Sequence, residues 1–208
     1  MSTAASSGGP SYNSAPAAAL ALNTPRLLLR AFETSDAHAV AQLCNDKLIY
    51  ETTLAIPFPY AQADAIGWIS THASTAAQGA GFSWAITLAK TGELLGAIGL
   101  HISRLRQTAE LGYWLGVPHW GQGFTTEAAR AVIAHALTPR PDGVGLVRVH
   151  ADHLVINPAS GRVLEKVGMT FIGETPSAAV KHGQPVDTRL YAVTGDQWLK
   201  QQAARQTT

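Results

Sequence analysis

The spacing of hydrophobic and polar residues changes along the chain, and each change marks an element. Glu110, Gly112, Trp114 and Gly116 alternate with Leu111, Tyr113, Leu115 and Val117, the two-residue period of a strand. Pro118 ends that strand, because proline supplies no ladder donor. Gly121-Gln122-Gly123 follows. From Thr125 the period lengthens, with Ala128, Ala129, Val132, Ile133, Ala136 and Leu137 at helical spacing. Residues 82–89 and 94–101 alternate on either side of the turn Lys90-Thr91-Gly92-Glu93 and predict a hairpin. With the strand at 109–117 they make an antiparallel meander. Residues 26–30 give a first strand. Residues 34–45 and 64–77 read as helices, the first capped by Thr34-Ser35-Asp36. Pro57 and Pro59 keep 54–60 irregular. A strand at 146–152 precedes a helix that Asn157 caps, Pro158 opens and Gly168 stops. Strands at 169–173 and 186–193, a turn at 181–185 and a short helix at 195–202 close the chain. The order βααβββαβαββ predicts a mixed α/β (α+β) fold, a mostly antiparallel sheet flanked by helices.

One crossover in this order carries chemistry. The strand at 109–117, its helix and the strand at 146–152 form a βαβ unit, which is parallel and right-handed. Ligands of such units bind at the carboxyl ends of the strands, here at the glycine turn. A helix N-terminus offers unpaired N–H groups and partial positive charge, and glycines let a ligand approach the backbone. Together these make an anion site. The pattern alone fits a plain strand–turn–helix connection equally well.

The 208 residues suit one domain with a substantial core, expected over 25–202. Residues 1–24 are rich in Ser, Ala, Gly and Pro without a charged side chain and read as a disordered tail; 203–208 are expected to be flexible. An apolar run at 17–22 lacks the basic segment of a signal peptide. The net charge of +1 gives no support for nucleic acid or membrane as partner. The single cysteine, Cys44, forms no internal disulfide and reads as a core filler, which points to a reducing compartment and a cytoplasmic location.

Three blocks, TPRLLLRAF at 24–32, AELGYWLGVPHWGQGFTTEAAR at 109–130 and NPASGRVLEKVGM at 157–169, together with the order of elements, resemble the GNAT superfamily of acetyl-CoA-dependent N-acetyltransferases. Within it the chain looks like the RimJ/RimL-like branch of ribosomal-protein N-terminal acetyltransferases. The resemblance implies that two middle strands splay and admit the pantetheine arm of acetyl-CoA, with the pyrophosphate on Trp120, Gly121, Gln122, Gly123, Phe124, Thr125 and Thr126. It implies backbone contacts from Leu115 and Val117, and cofactor contacts from Asn157, Ser160 and Arg162. Thr125 stands where the family turn has a small residue. Leu164 stands where many members carry a tyrosine acid.

Acetyl transfer from a thioester to an amine requires a base, a donor for the developing oxyanion, close positioning and a proton for the thiolate. Glu110 is the candidate base, with His101, His150 and His153 as rivals because imidazole titrates near neutral pH. Ser160 is the candidate acid. The acceptor is expected to be a protein N-terminus or a small amine, held by Phe58, Tyr60, Trp84, His182 and Asp187. No metal site is indicated, since His150-x-x-His153 lacks companion ligands. The protein is expected to act as a monomer or homodimer. The alternative is a catalytically silent acyl-CoA sensor of the same fold. A nucleotide-binding role is disfavoured, because the turn lacks the Gly-Lys-Ser/Thr of a P-loop.

Overall fold

In the computed structural model, which describes residues 21–181 and 183–206, a single eight-stranded sheet organises the chain. The strands are β1 (Leu22–Asn23), β2 (Leu27–Ala31), β3 (Gly81–Leu88), β4 (Leu94–Ser103), β5 (Thr108–Leu115), β6 (Arg148–Leu154), β7 (Thr170–Lys181) and β8 (Gln184–Thr194). Their spatial order is β1-β2-β3-β4-β5-β6-β8-β7. Every pairing is antiparallel except that of β5 with β6. The meander of β3, β4 and β5 and the β5–β6 crossover follow the sequence reading. Leu22–Asn23, expected in the tail, instead pairs with Leu28–Leu29.

The helices are α1 (Ala37–Cys44), α2 (Lys47–Thr52), α3 (Gln62–Ser70), α4 (His72–Ala77), α5 (Phe124–Leu137), α6 (Pro158–Lys166) and α7 (Gly195–Gln206). The last runs through residues 203–206, which the sequence reading left loose. The main core lies between α5 and one face of the sheet. Ala109, Leu111 and Leu115 of β5 meet Ala128, Ala129, Val132 and Ile133 there. Each fully buried branched side chain contributes about 1.5–3 kcal/mol. A second, smaller cluster on the opposite face packs Ala37, Val40, Cys44, Tyr60 and Ala65 under Trp114. Burial pushes the Cys44 thiol up to about 12, which suits a filler rather than a nucleophile.

Two strands of unequal allegiance create the site. β5 stays hydrogen-bonded to β4 as far as the Gly96/Leu115 pair, and β6 stays with β8 as far as Leu154/Thr188. β5 and β6 pair with each other only at Thr108/Arg148, Ala109/Val149 and Glu110/His150. Beyond that point they part, and a gap opens between their carboxyl ends.

Candidate active site

The gap is a cavity of about 420 Å³. Residues 110–115 of β5 form one wall, Asp152, His153 and Leu154 of β6 the other, and Thr52–Leu54 close one end. The glycine turn and the first turns of α5 and α6 complete it. Alternation sorts the strand residues by face. Tyr113 packs with the α5-side core and Trp114 with the cluster on the other side, so Glu110, Gly112, His150 and Asp152 look away from α5.

The phosphate-sized end is built by backbone. Gly123, the residue preceding α5, has φ of 81° and supplies no side-chain cap, so the first N–H groups of α5 face the gap unclaimed by a side chain. Gly121 has φ of 74°, and a Cβ placed on it meets nothing within 4 Å. That open space over a helix N-terminus fits an anionic group. Arg162 and Lys166 of α6 also line the gap. Arg26 approaches from β2: its guanidinium donates to Gln122 O at 3.0 Å, pairs with Glu127 at 2.6 Å and lies 4.5 Å from the centre of the Phe124 ring.

α6 is capped from within. Asn157 Oδ1 accepts from Ser160 N at 3.2 Å, and its Nδ2 donates to Thr52 O at 3.1 Å. The Asn157 amide therefore already joins α6 to the end of α2. Gly161 lets α6 close on β6, since a Cβ there would lie 2.7 Å from His153 Nε2. The buried His153 ring places Nδ1 2.8 Å from Leu154 O, while Nε2 has no hydrogen-bond partner among the described residues.

Of the cofactor residues expected from sequence, Leu115, Trp120, Gly121, Gly123, Phe124, Thr125, Thr126, Asn157, Ser160 and Arg162 line the gap. Val117 and Gln122 do not. β5 ends at Leu115, and Val117 begins a 3-10 turn whose carbonyl accepts from Trp120 N at 3.2 Å. The Gln122 side chain donates to Pro118 O at 3.2 Å. The Leu115 carbonyl accepts the Trp120 indole N–H at 2.5 Å.

Glu110 and Ser160 both line the gap. Glu110 is exposed at the apex, flanked across the strands by His101 and His150, and also borders a shallower neighbouring pocket containing both histidines. Glu110 thus meets both the gap and solvent.

The expected acceptor pocket is not assembled as a unit. Trp84 is 2% exposed in the main core, because strand alternation turns it toward α5. Tyr60 is buried in the smaller cluster, where desolvation pushes its phenol up to about 12. Phe58 is exposed against Tyr50 at 5.8 Å between ring centres. Asp187 accepts from Ser177 N at 2.8 Å across the β7–β8 hairpin. His182 lies outside the described residues. Lys181, at the turn expected to hold the acceptor, is buried and donates to the carbonyls of Tyr50, Glu51 and Thr53, capping the C-terminal end of α2.

Sequence reasoning missed Tyr113, Asp152 and Lys166 as gap residues. The alternation that placed Glu110 on one side of β5 placed Tyr113 on the other, and Asp152 ended the strand reading at 146–152. Among the described residues no group of three or more His, Cys, Asp or Glu side chains is arranged to hold a metal ion. No helix among them is long and apolar enough to cross a membrane.

The family model of the acetyltransferase (GNAT) domain matches residues 26–170. The uncharacterized N-acetyltransferase YoaA of Bacillus subtilis is 32% identical over 174 residues, which cover 83% of this chain and 95% of that protein. The ribosomal-protein-serine acetyltransferase of Escherichia coli is 26% identical over 174 residues, 79% of this chain and 94% of the relative. A solved structure of RimL, a ribosomal alpha-N-protein acetyltransferase in complex with coenzyme A, superposes with a TM-score of 0.74 at 22% identity, covering 84% of this chain and 97% of that one. The split between β5 and β6, the uncapped α5 N-terminus and the match over residues 26–170 agree, and the chain belongs to the GNAT family of acetyltransferases.

Proposed function

We propose that this acetyltransferase moves the acetyl group of acetyl-CoA directly to a primary amine, with both substrates bound together. The observation that carries this reading is the split at Glu110/His150, which gives one continuous gap two chemically different ends. The phosphates would rest on the α5 N-terminus and the turn at 121–126, with Arg26, Arg162 and Lys166 adding positive charge. The amine would enter from the face where Glu110 and Asp152 present two carboxylates. That pair suits an acceptor arriving as an ammonium ion.

Glu110 is assigned the role of taking the ammonium proton, directly or through water. The neutral nitrogen attacks the thioester carbon, and N–H groups on the gap-facing edge of β5 stabilise the oxyanion. When the C–S bond breaks, its electron pair goes to sulfur, Ser160 donates the hydroxyl proton that makes the free thiol, and the second proton shed by the nitrogen passes through gap water back to Ser160 Oγ. The net products are an amide and coenzyme A. The likeness to a ribosomal-protein-serine acetyltransferase makes peptides beginning in serine the first acceptors to try, with small primary amines as the second arm.

The test measures acetyl-CoA binding by calorimetry and thiol release with both arms. Wild type binds acetyl-CoA. A Gly121→Val side chain enters the open space of the phosphate cradle and weakens binding at least about tenfold. Glu110→Gln and Ser160→Ala lower turnover while binding persists. Absence of acetyl-CoA binding at millimolar concentration overturns the reading; unchanged turnover in both variants overturns the assigned roles.

A further inference from the structure

Ser160 does not stand alone in the gap. It lies in the first turn of α6, where its N–H is already claimed by Asn157. Its hydroxyl is free to rotate unless something holds it. Tyr113 reaches it from β5, across the gap: the phenol oxygen is 2.8 Å from Ser160 Oγ and 3.3 Å from the Ser160 carbonyl oxygen. The tyrosine ring packs against the α5-side core, so the phenol is held on a rigid element.

The inventory of protons decides what such a pair does. A phenol has one proton and a serine hydroxyl has one. Either oxygen can donate across the 2.8 Å contact; in the arrangement where the Tyr113 proton is shared between Ser160 Oγ and the Ser160 carbonyl, both of which accept, the Ser160 proton is left over and points elsewhere. The elsewhere is the gap. Burial holds the phenol in its protonated form, up to about 12, against the opposing pull of the Ser160 hydrogen bond, so this donor persists at neutral pH.

We infer that Tyr113 is a positioning residue for acetyl transfer, donating its phenol hydrogen bond to Ser160 so that the serine hydroxyl proton is aimed at the departing sulfur. The inference rests on the assignment of Ser160 as the proton donor. In the step itself the C–S bond breaks, the electron pair goes to sulfur, and the Ser160 proton forms the thiol. Ser160 Oγ regains a proton through water in the gap, the proton being the one that the nitrogen sheds as it becomes the amide. Tyr113 keeps its own proton throughout and stabilises the electron-rich oxygen in between.

The experiment measures thiol release from acetyl-CoA with water as acceptor, alongside release with a serine-initiated peptide and with ethylamine. Tyr113→Phe keeps the ring and removes the hydroxyl. The expected result is a fall in kcat of about tenfold, with KM for acetyl-CoA within about twofold of wild type. The double variant with Ser160→Ala falls no further than Ser160→Ala alone, because both changes remove one device. A lowered rate in Ser160→Ala with an unchanged rate in Tyr113→Phe overturns the positioning role and leaves the serine assignment standing. An unchanged rate in Ser160→Ala, or no thiol release from wild type, overturns the assignment on which the inference depends. Multiplying effects in the double variant, or a KM change in place of a kcat change, also overturn it. If Tyr113→Phe does not fold, a fluorotyrosine at that position supplies a stronger donor of nearly the same size. It is expected to raise the rate, and an unchanged rate counts against the role.

Discussion

Arg26 and Glu127 meet at 2.6 Å although 101 residues separate them in the chain. The contact ties the start of β2 to the first turn of α5, and the Arg26 guanidinium reaches on to the carbonyl of Gln122 in the glycine turn. Glu127 also accepts from the Arg26 backbone N–H at 2.9 Å and the Thr24 hydroxyl at 2.6 Å. The chain leading into β2 thus braces the glycine turn from behind.

Removing that clamp should loosen the turn without emptying the core. Arg26→Ala is expected to cost about 1 kcal/mol, a fall in Tm of about 2–4 °C for a chain of this size. Its acetyl-CoA Kd should rise about three- to tenfold, read by calorimetry. The variant also changes the acid limb. Desolvation pulls the Glu127 carboxyl upward, but the hydrogen bonds from Thr24 and Arg26 outweigh it and hold the group below the usual carboxylate range. A depressed carboxylate contributes stability above its unfolded pKa and loses it as pH falls through the folded one. Without Arg26 that loss should begin at higher pH.

His72 should set a different pH dependence. Its ring sits edge-on to Trp68 at 4.5 Å and beside Phe32 at 5.3 Å, and neither nitrogen has a hydrogen-bond partner among the described residues. Burial lowers its pKa from 6.5 to about 4. The unfolded chain therefore takes up a proton that the folded chain refuses, and stability falls as pH drops from 6.5 toward 4. Between pH 7 and pH 5 the loss should be about 1 kcal/mol after discounting for partial exposure. His72→Phe keeps the ring packing and removes the titration. Urea midpoints for the variant should change less between those two pH values than for wild type.

Lys181 should matter through the wall it holds. Three carbonyls at the end of α2 share its ammonium group, and Thr52–Leu54 just beyond line the gap. Lys181→Met keeps much of the side-chain volume and leaves those acceptors without their cation. The expected cost is about 1–3 kcal/mol. Hydrogen exchange should quicken across residues 47–54 before it changes in the β3–β5 meander. Uniform acceleration over the whole chain would rule out a local hold.

The elements that escaped the sequence reading share physical reasons. α2 spans only Lys47–Thr52, too short for a helical period to stand out, and Asp46, whose side chain accepts from Leu48 N, was its one local sign. The sequence reading ends this strand at Gly173, short of the observed Lys181, because Pro176 interrupts the strand pattern. At the edge of the sheet, Pro176 sits within a bulged stretch of the β7–β8 ladder instead. Trp84 was assigned to the acceptor pocket because alternation tells that two faces exist but not which one meets α5. The glycine turn was legible because its chemistry is local. The gap was not, because it depends on where the β5–β6 register stops, and that is decided by the competing ladders to β4 and β8. Tyr113 was visible only as one more aromatic in an alternating run until α6 brought Ser160 to it.

The early end of the β5–β6 ladder leaves two strand edges facing each other without a strand between them. Along residues 111–114 and 151–154, the backbone N–H and C=O groups not used by the ladders to β4 and β8 lie on the edges of that opening. An extended ligand carrying amide groups can hydrogen-bond to both edges and act as a surrogate strand. The sheet is then continuous only while the ligand is present. Saturation at one hundred times Kd stabilises the folded state by about 2.7 kcal/mol. Heating the loaded protein should melt cofactor and sheet in one step, so that the substrate is for that interval part of the architecture.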